Sequence, residues 1–172
     1  MVVVVEPLAS HPELIPIAAG WHFTAWGHSD PGSSVETWTA AMTRQVSHVP
    51  GMLIAIADGS PAGVVGLVAH DMPGYKPAAG MTPWVKGLYV APAHRRRGLG
   101  TLLMRHCEAM AASLGHQFLY LYTGRGSPAQ VLYERLNWRA IHTGRYDGID
   151  VTVMCTSMRP DSYAQPGGSL TR

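Results

Sequence analysis

Apolar and polar positions recur with two different periods along this chain, and the changes of period mark its elements. Residues 2–5 are a short run of valines that meets Glu6 and Pro7, which reads as a first strand. Over residues 11–27, Leu14, Ile17, Ala18, Trp21, Ala25 and Trp26 return at helical spacing and predict a helix. Asp30-Pro31-Gly32-Ser33-Ser34 has turn chemistry, and Ser34 can cap a second helix over residues 36–47. Residues 52–57 and 62–70 are β-rich runs on either side of Asp58-Gly59-Ser60-Pro61, the pattern of a hairpin. Residues 72–83, rich in proline and glycine, read as a loop.

A further strand over residues 84–90 ends at Ala91-Pro92, because proline has no N–H for a ladder and pushes the residue before it out of helical geometry. The next helix begins at Gly98. Leu99, Leu102, Leu103, Cys107, Met110, Ala111 and Leu114 share its apolar face, Arg105, Glu108 and Ser113 lie off it, and Gly115 is a C-terminal stop. Residues 118–122 are apolar at every position, which predicts a central strand covered on both faces. Ser127 to Gln130 is an S-x-x-Q capping box with Pro128 at the first helical position, followed by Ala129, Leu132, Tyr133 and Leu136 as a short amphipathic helix. Residues 138–143 and 151–157 close the pattern as two strands about the turn Asp147-Gly148. The order is strand, two helices, three strands, helix, strand, helix, two strands, with no repeat. It implies one α/β (α+β) domain over residues 1–159, a central mixed sheet flanked by helices. Residues 160–172 form a polar tail with no core pattern, expected to be mobile.

Composition narrows this picture only a little. With 172 residues, 47% of them apolar and 14% charged, the chain has the balance of a single globular domain. Its net charge of +2 is too small to argue for nucleic acid. The positive residues are nearly all arginine, Lys76 and Lys86 being the only lysines. Cys107 and Cys155 stand far apart, outside any CxxC pair or histidine spacing, so neither a disulfide framework nor a metal site is expected. The N-terminal valine run lacks a basic flank and is too short to span a bilayer. No membrane association is expected, and a cytoplasmic location follows by default.

Arg95-Arg96-Arg97-Gly98-Leu99-Gly100 changes the picture most. A strand, a proline-marked turn, three arginines and two glycines at a helix start are suited to a polyanion: the first helical turn leaves N–H groups unpaired, and its dipole favours negative charge. Glycine there allows close approach and unusual backbone angles. The alternative is a solvated basic turn, with glycines that only permit tight packing. GxxxxGK[ST] and GxGxxG are both absent, which excludes a P-loop and a dinucleotide fingerprint.

Gly87-Leu88-Tyr89-Val90, Pro92, RRRGLGTLLM and, some way downstream, SPAQVLYERLNW together resemble the GNAT superfamily of acetyl-CoA-dependent N-acetyltransferases. Arg95, Gly98 and Gly100 meet that superfamily's Q/R-x-x-G-x-G/A signature. The resemblance covers residues 84–142 by motif, and the element order agrees with it. It implies a GNAT-like acyltransferase fold with acetyl-CoA as co-substrate and an amine as acceptor. The backbone of Leu88, Tyr89 and Val90 would pair with the pantetheine arm, and Arg95, Arg96, Arg97, Gly98, Leu99, Gly100 and Thr101 would wrap the diphosphate. The thioester would enter a splay between the strands ending at Val90 and Tyr122, facing the Val90 amide.

The resemblance also implies that Tyr133 is the acid for the departing thiolate; Tyr133 shares a face with Leu132 and Leu136, so a core role is the alternative. Several members carry a glutamate base where this chain has Trp84. His70 and Asp71, at a strand end, could serve directly or through water, and water alone would suffice for an acceptor of low pKa. Trp21, His22, Trp26, Trp38 and Trp84 are candidate walls of an acceptor site or else core, with Trp26, His70 and Trp84 the ones assigned to substrate. The acceptor is expected to be a small-molecule amine; a protein or peptide amine, or a non-catalytic acyl-CoA-binding module, are the alternatives. A homodimer through the late strands is a further expectation from look-alikes.

Overall fold

A computed structural model describes residues 1–27, 32–46 and 51–158. The C-terminal tail, Asp30 and Pro31 of the turn before the second helix, and that helix's predicted last residue, Ser47, lie outside the described residues. Seven strands form one mixed sheet: β1 (Val3–Pro7), β2 (Met52–Ala57), β3 (Ser60–Val68), β4 (Trp84–Val90), β5 (Phe118–Gly124), β6 (Arg139–Tyr146) and β7 (Ile149–Ser157), in the order β1-β2-β3-β4-β5-β7-β6. Four helices complete the fold: α1 (Ile15–Trp26), α2 (Val35–Val46), α3 (Leu99–Ser113) and α4 (Pro128–Arg135). The element order is the one the periodicity predicts.

Boundaries differ where proline and glycine act. Residues 8–10 and 12–14 are 3-10 turns and α1 starts only at Ile15, because Pro16 lacks the N–H that a helix begun at His11 would need and so sits in the first turn. The hairpin of β2 and β3 turns in two residues, Asp58 and Gly59, both with positive φ. Pro61 therefore lies inside β3, tolerated by a register shift opposite Ala55 and Ile56. Ser127 caps α4 through its Oγ, which accepts from the Gln130 N–H at 3.2 Å. The Gln130 side chain takes the Gly126 N–H instead of the Ser127 N–H of a reciprocal box.

Strand alternation divides the core between the two faces. Leu53, Val65, Leu67, Val85, Leu119, Leu121 and Met154 meet Leu103, Met104, Cys107 and Ala111 of α3 and Tyr133 and Leu136 at α4. Each fully buried side chain of this size contributes roughly 1.5–3 kcal/mol. On the opposite face, Ile54 and Val64 pack under Ala18, Ala19 and Met42 of α1 and α2. The loop over residues 72–83 covers the remainder, with Met72, Ala78 and Trp84 on Val151 and Val153. β5 is central, but its cover is uneven: Leu119 and Leu121 are buried, Tyr120 and Tyr122 only half-buried, and Phe118 is exposed at the strand's start.

Candidate active site

All strand pairs are antiparallel except β4 and β5, which α3 connects in parallel. These two pair at one register position, Trp84 opposite Tyr120, and then diverge. The divergence starts where β4 is bulged: Gly87 has φ +63°, and the register to β3 shifts between Val64 and Gly66. The bulge also resets the alternation. Val85, Leu88 and Val90 all face the α3 side, whereas Tyr89 faces α1 and α2. Ala91 N–H donates to the Ala62 carbonyl of the β3 side at 2.9 Å, so the pleat directs the N–H of Val90 the other way, into the opening beside β5.

Beyond β4 the chain crosses a 3-10 turn, Pro92–His94, and enters α3 through Arg96 at φ +58° and Gly98 at φ +81°. Gly98 occupies the N-cap without a side chain to cap the helix, and the first helical bond runs from Leu102 N–H to the Gly98 carbonyl at 3.0 Å. The N–H groups of Leu99, Gly100 and Thr101 consequently find no acceptor among the described residues and point out of the helix start, the arrangement that binds anions. A Cβ on Gly98 would meet open space, but one on Gly100 would lie 3.3 Å from Leu132 Cδ2. Gly98 thus serves the turn, and Gly100 lets α3 pack close to α4. Arg96 and Arg97 are exposed at the turn. Arg95 folds back: its Nε donates to the Val90 carbonyl at 2.9 Å and its guanidinium lies 5.6 Å from the Tyr89 ring centre.

On the opposite face, α1, α2 and β4 enclose a cavity of about 320 Å³, lined by His22, Thr37, Trp38, Met42, Met52 and Lys86 among others. Residues 13–138 match the model of the acetyltransferase (GNAT) family. The chain belongs to that family.

It is accordingly an acyltransferase with acetyl-CoA as co-substrate. No curated protein sequence matches it. Among solved structures it is similar to an N-acetyltransferase from Staphylococcus aureus Mu50, with 13% identity, 92% of this chain and 100% of that one covered, and a TM-score of 0.73. It is also similar to yncA from Salmonella typhimurium, solved with its cofactor acetyl-CoA, with 17% identity, 97% and 99% covered, and a TM-score of 0.68. The paiA N-acetyltransferase from Thermoplasma acidophilum, in complex with coenzyme A, matches with 17% identity, 91% and 99% covered, and a TM-score of 0.64. At these identities the likeness is one of fold.

Within this GNAT fold the predicted residues separate into groups. Leu88 to Val90 and Arg95 to Thr101 lie together along the splay and the start of α3. Tyr133 is 7% exposed on α4, tilted against Trp138, and burial pushes its hydroxyl up to about 12. Trp84 is 1% exposed; its indole N–H donates to the Met81 carbonyl at 2.7 Å and its ring lies beside Tyr120, so it anchors the loop and does not line the cavity. Trp26 is exposed on α1, edge-on to His22. His70 is exposed just past β3, and neighbouring Asp71 turns its carboxylate to Lys86 at 2.8 Å. Trp38 and His22 do line the cavity, and Trp21 stacks on Tyr89. The residues that sequence reasoning passed over are Lys86, Gly87 and the polar face of α2. Only Gly87 carried a signal, as a glycine inside a strand.

Proposed function

We propose that this acyltransferase is an N-acetyltransferase whose acceptor is a small-molecule amine held in the cavity between α1, α2 and β4. The cavity is the observation that carries the reading. It has the volume of a small-ligand site, with an apolar floor of Met42 and Met52 and a polar rim that includes Thr37 and Gln45. Lys86 is the one charged group among its described lining residues, which favours a compact acceptor with an apolar body over a polycation.

The groups at the start of α3 fit the co-substrate: uncapped amides from Leu99 to Thr101 and the nearby Arg96 and Arg97 are the donors for its diphosphate. Bound acetyl-CoA supplies the acyl group as a thioester. The Val90 N–H, directed into the splay, and the Leu88 N–H beside it would hydrogen-bond the arm and the acyl oxygen and stabilise negative charge that develops there. Tyr133 remains protonated through the neutral range, the state required to donate a proton to the leaving sulfur. Asp71 is held by Lys86, so deprotonation of the acceptor is assigned to water. An α-amine-like acceptor with pKa near 8 needs only about 1.4 kcal/mol for this at pH 7.

A panel of small amines and peptides, scored by CoA release, tests the reading. Turnover confined to small amines supports it, and turnover confined to peptides would replace it with protein acetylation.

A further inference from the structure

Gly87 and His22, on β4 and α1, touch across the sheet. His22 Nε2 lies 2.9 Å from the Gly87 carbonyl oxygen. The imidazole is 5% exposed, with Trp26 and Trp38 edge-on to it at ring-centre distances of 5.0 and 6.2 Å. A Cβ on Gly87 would approach the His22 ring to 2.5 Å, so the ring fills the space that glycine leaves. A carbonyl oxygen can only accept. Nε2 must therefore carry the hydrogen, and burial, which holds the ring neutral, leaves Nδ1 without one.

This contact falls on the bulge that opens the splay. Gly87 C=O and Leu88 N–H belong to one trans peptide unit, in which the two groups point in opposite directions. A carbonyl drawn towards α1 thereby fixes the Leu88 N–H in the opposite sense, and this peptide unit lies where β4 has parted from β5. Gly87 at φ +63° is free to rotate this unit, since glycine lacks the steric barrier that would fix it, so the orientation must come from outside the strand.

We infer that His22 is a positioning residue: through its hydrogen bond to Gly87 it sets the direction of the Leu88 N–H that receives the acyl donor. The inference rests on the reading of the splay as the acyl-donor cleft. His22 touches no reacting atom in this scheme; it acts through the peptide unit of Gly87 and Leu88.

Two measurements test it. In the unliganded protein, nitrogen-detected NMR of His22 should show the Nε2–H tautomer with no titration near pH 6.5; an Nδ1–H tautomer or an ordinary titration would overturn the inference. Second, His22→Leu and His22→Gln are compared for acetyl-CoA affinity by calorimetry and for kcat and KM. The Leu variant, which loses the donor, should bind acetyl-CoA about fivefold to tenfold more weakly, the cost of one hydrogen bond. Its KM for acetyl-CoA should rise in step with that loss, read apart from any change in acceptor KM, since His22 also lines the cavity. The Gln variant, whose amide can still donate, should recover most of the affinity. A folded Leu variant with wild-type affinity and turnover would refute the role, as would a Gln variant no better than Leu. Wild-type protein that fails to bind acetyl-CoA would instead sink the reading of the cleft. Should the Leu variant not fold, the tautomer measurement and the Gln variant still decide.

Discussion

Asp71 Oδ1 lies 2.8 Å from the Lys86 ammonium, and the two partners are unequally buried: the Asp71 side chain is 8% exposed and that of Lys86 48%. Burial pushes the Asp71 carboxyl up, and the nearby Lys86 charge draws it part of the way back. Since its folded-state pKa is raised, ionised Asp71 costs stability, and that cost develops as pH rises through the folded value. Asp71→Asn should therefore leave stability at pH 7 unchanged or slightly higher. Lys86→Met, which leaves a buried carboxylate without its cation, should cost about 1–3 kcal/mol. Urea denaturation of both variants at pH 7 checks the asymmetry, and a larger loss from Asp71→Asn would reverse it.

His22 gives the stability an acid limb. Burial lowers its pKa to about 4, the neighbouring Lys86 charge adds to this, and the bond to Gly87 opposes it. Between pH 6.5 and 4 the unfolded chain takes up a proton that the folded chain refuses. Stability is thus complete above about pH 6.5 and falls as pH drops through that window, by on the order of 3 kcal/mol in all. Denaturation at pH 7, 5.5 and 4.5 should show this fall in the wild type and a shallower one in His22→Gln.

The two glycines at the start of α3 should behave differently. At Gly98, φ +81° makes alanine cost about 1 kcal/mol through backbone strain, and glutamate adds a charge against the diphosphate. Gly98→Glu should abolish the rise in melting temperature that acetyl-CoA gives the wild type. Gly100→Ala places its methyl 3.3 Å from the flexible end of Leu132, a contact that a small side-chain shift relieves, so the rise should survive. A thermal titration of the three proteins with acetyl-CoA separates these outcomes.

These contrasts follow what sequence could and could not convey. The element order was legible because each change of period, such as that from Leu67 to Leu102 and Leu103, is local and large. The start of α3 was legible because Gly98 and its unpaired amides lie within a few residues of one another. Gly87 was not, because its role depends on His22, 65 residues away. The tryptophans were ambiguous for a related reason: an indole that bonds a carbonyl, as Trp84 does at Met81, and one that borders a cavity, as Trp38 does, have the same apolar body and differ only in their neighbours. The cavity between α1, α2 and β4 draws on Thr37, Met42, Gln45 and Lys86, none distinctive in its local sequence.

Tyr133 provides the direct test of proton donation. Its ring packs among Leu103, Met104 and Trp138 in the core, yet its hydroxyl has no hydrogen-bond partner among the described residues. Removing only that oxygen should therefore leave packing intact and stability within about 0.5 kcal/mol of the wild type. A proton donor, in contrast, accounts for about a hundredfold or more in rate. Tyr133→Phe should lower kcat by about that factor while acetyl-CoA affinity and melting temperature hold steady. The loss should be smaller for donors whose leaving thiolate is less basic, since such a group departs with less help from an acid. Unchanged turnover would make Tyr133 a packing residue, and a parallel loss of turnover and melting temperature would trace the effect to the core.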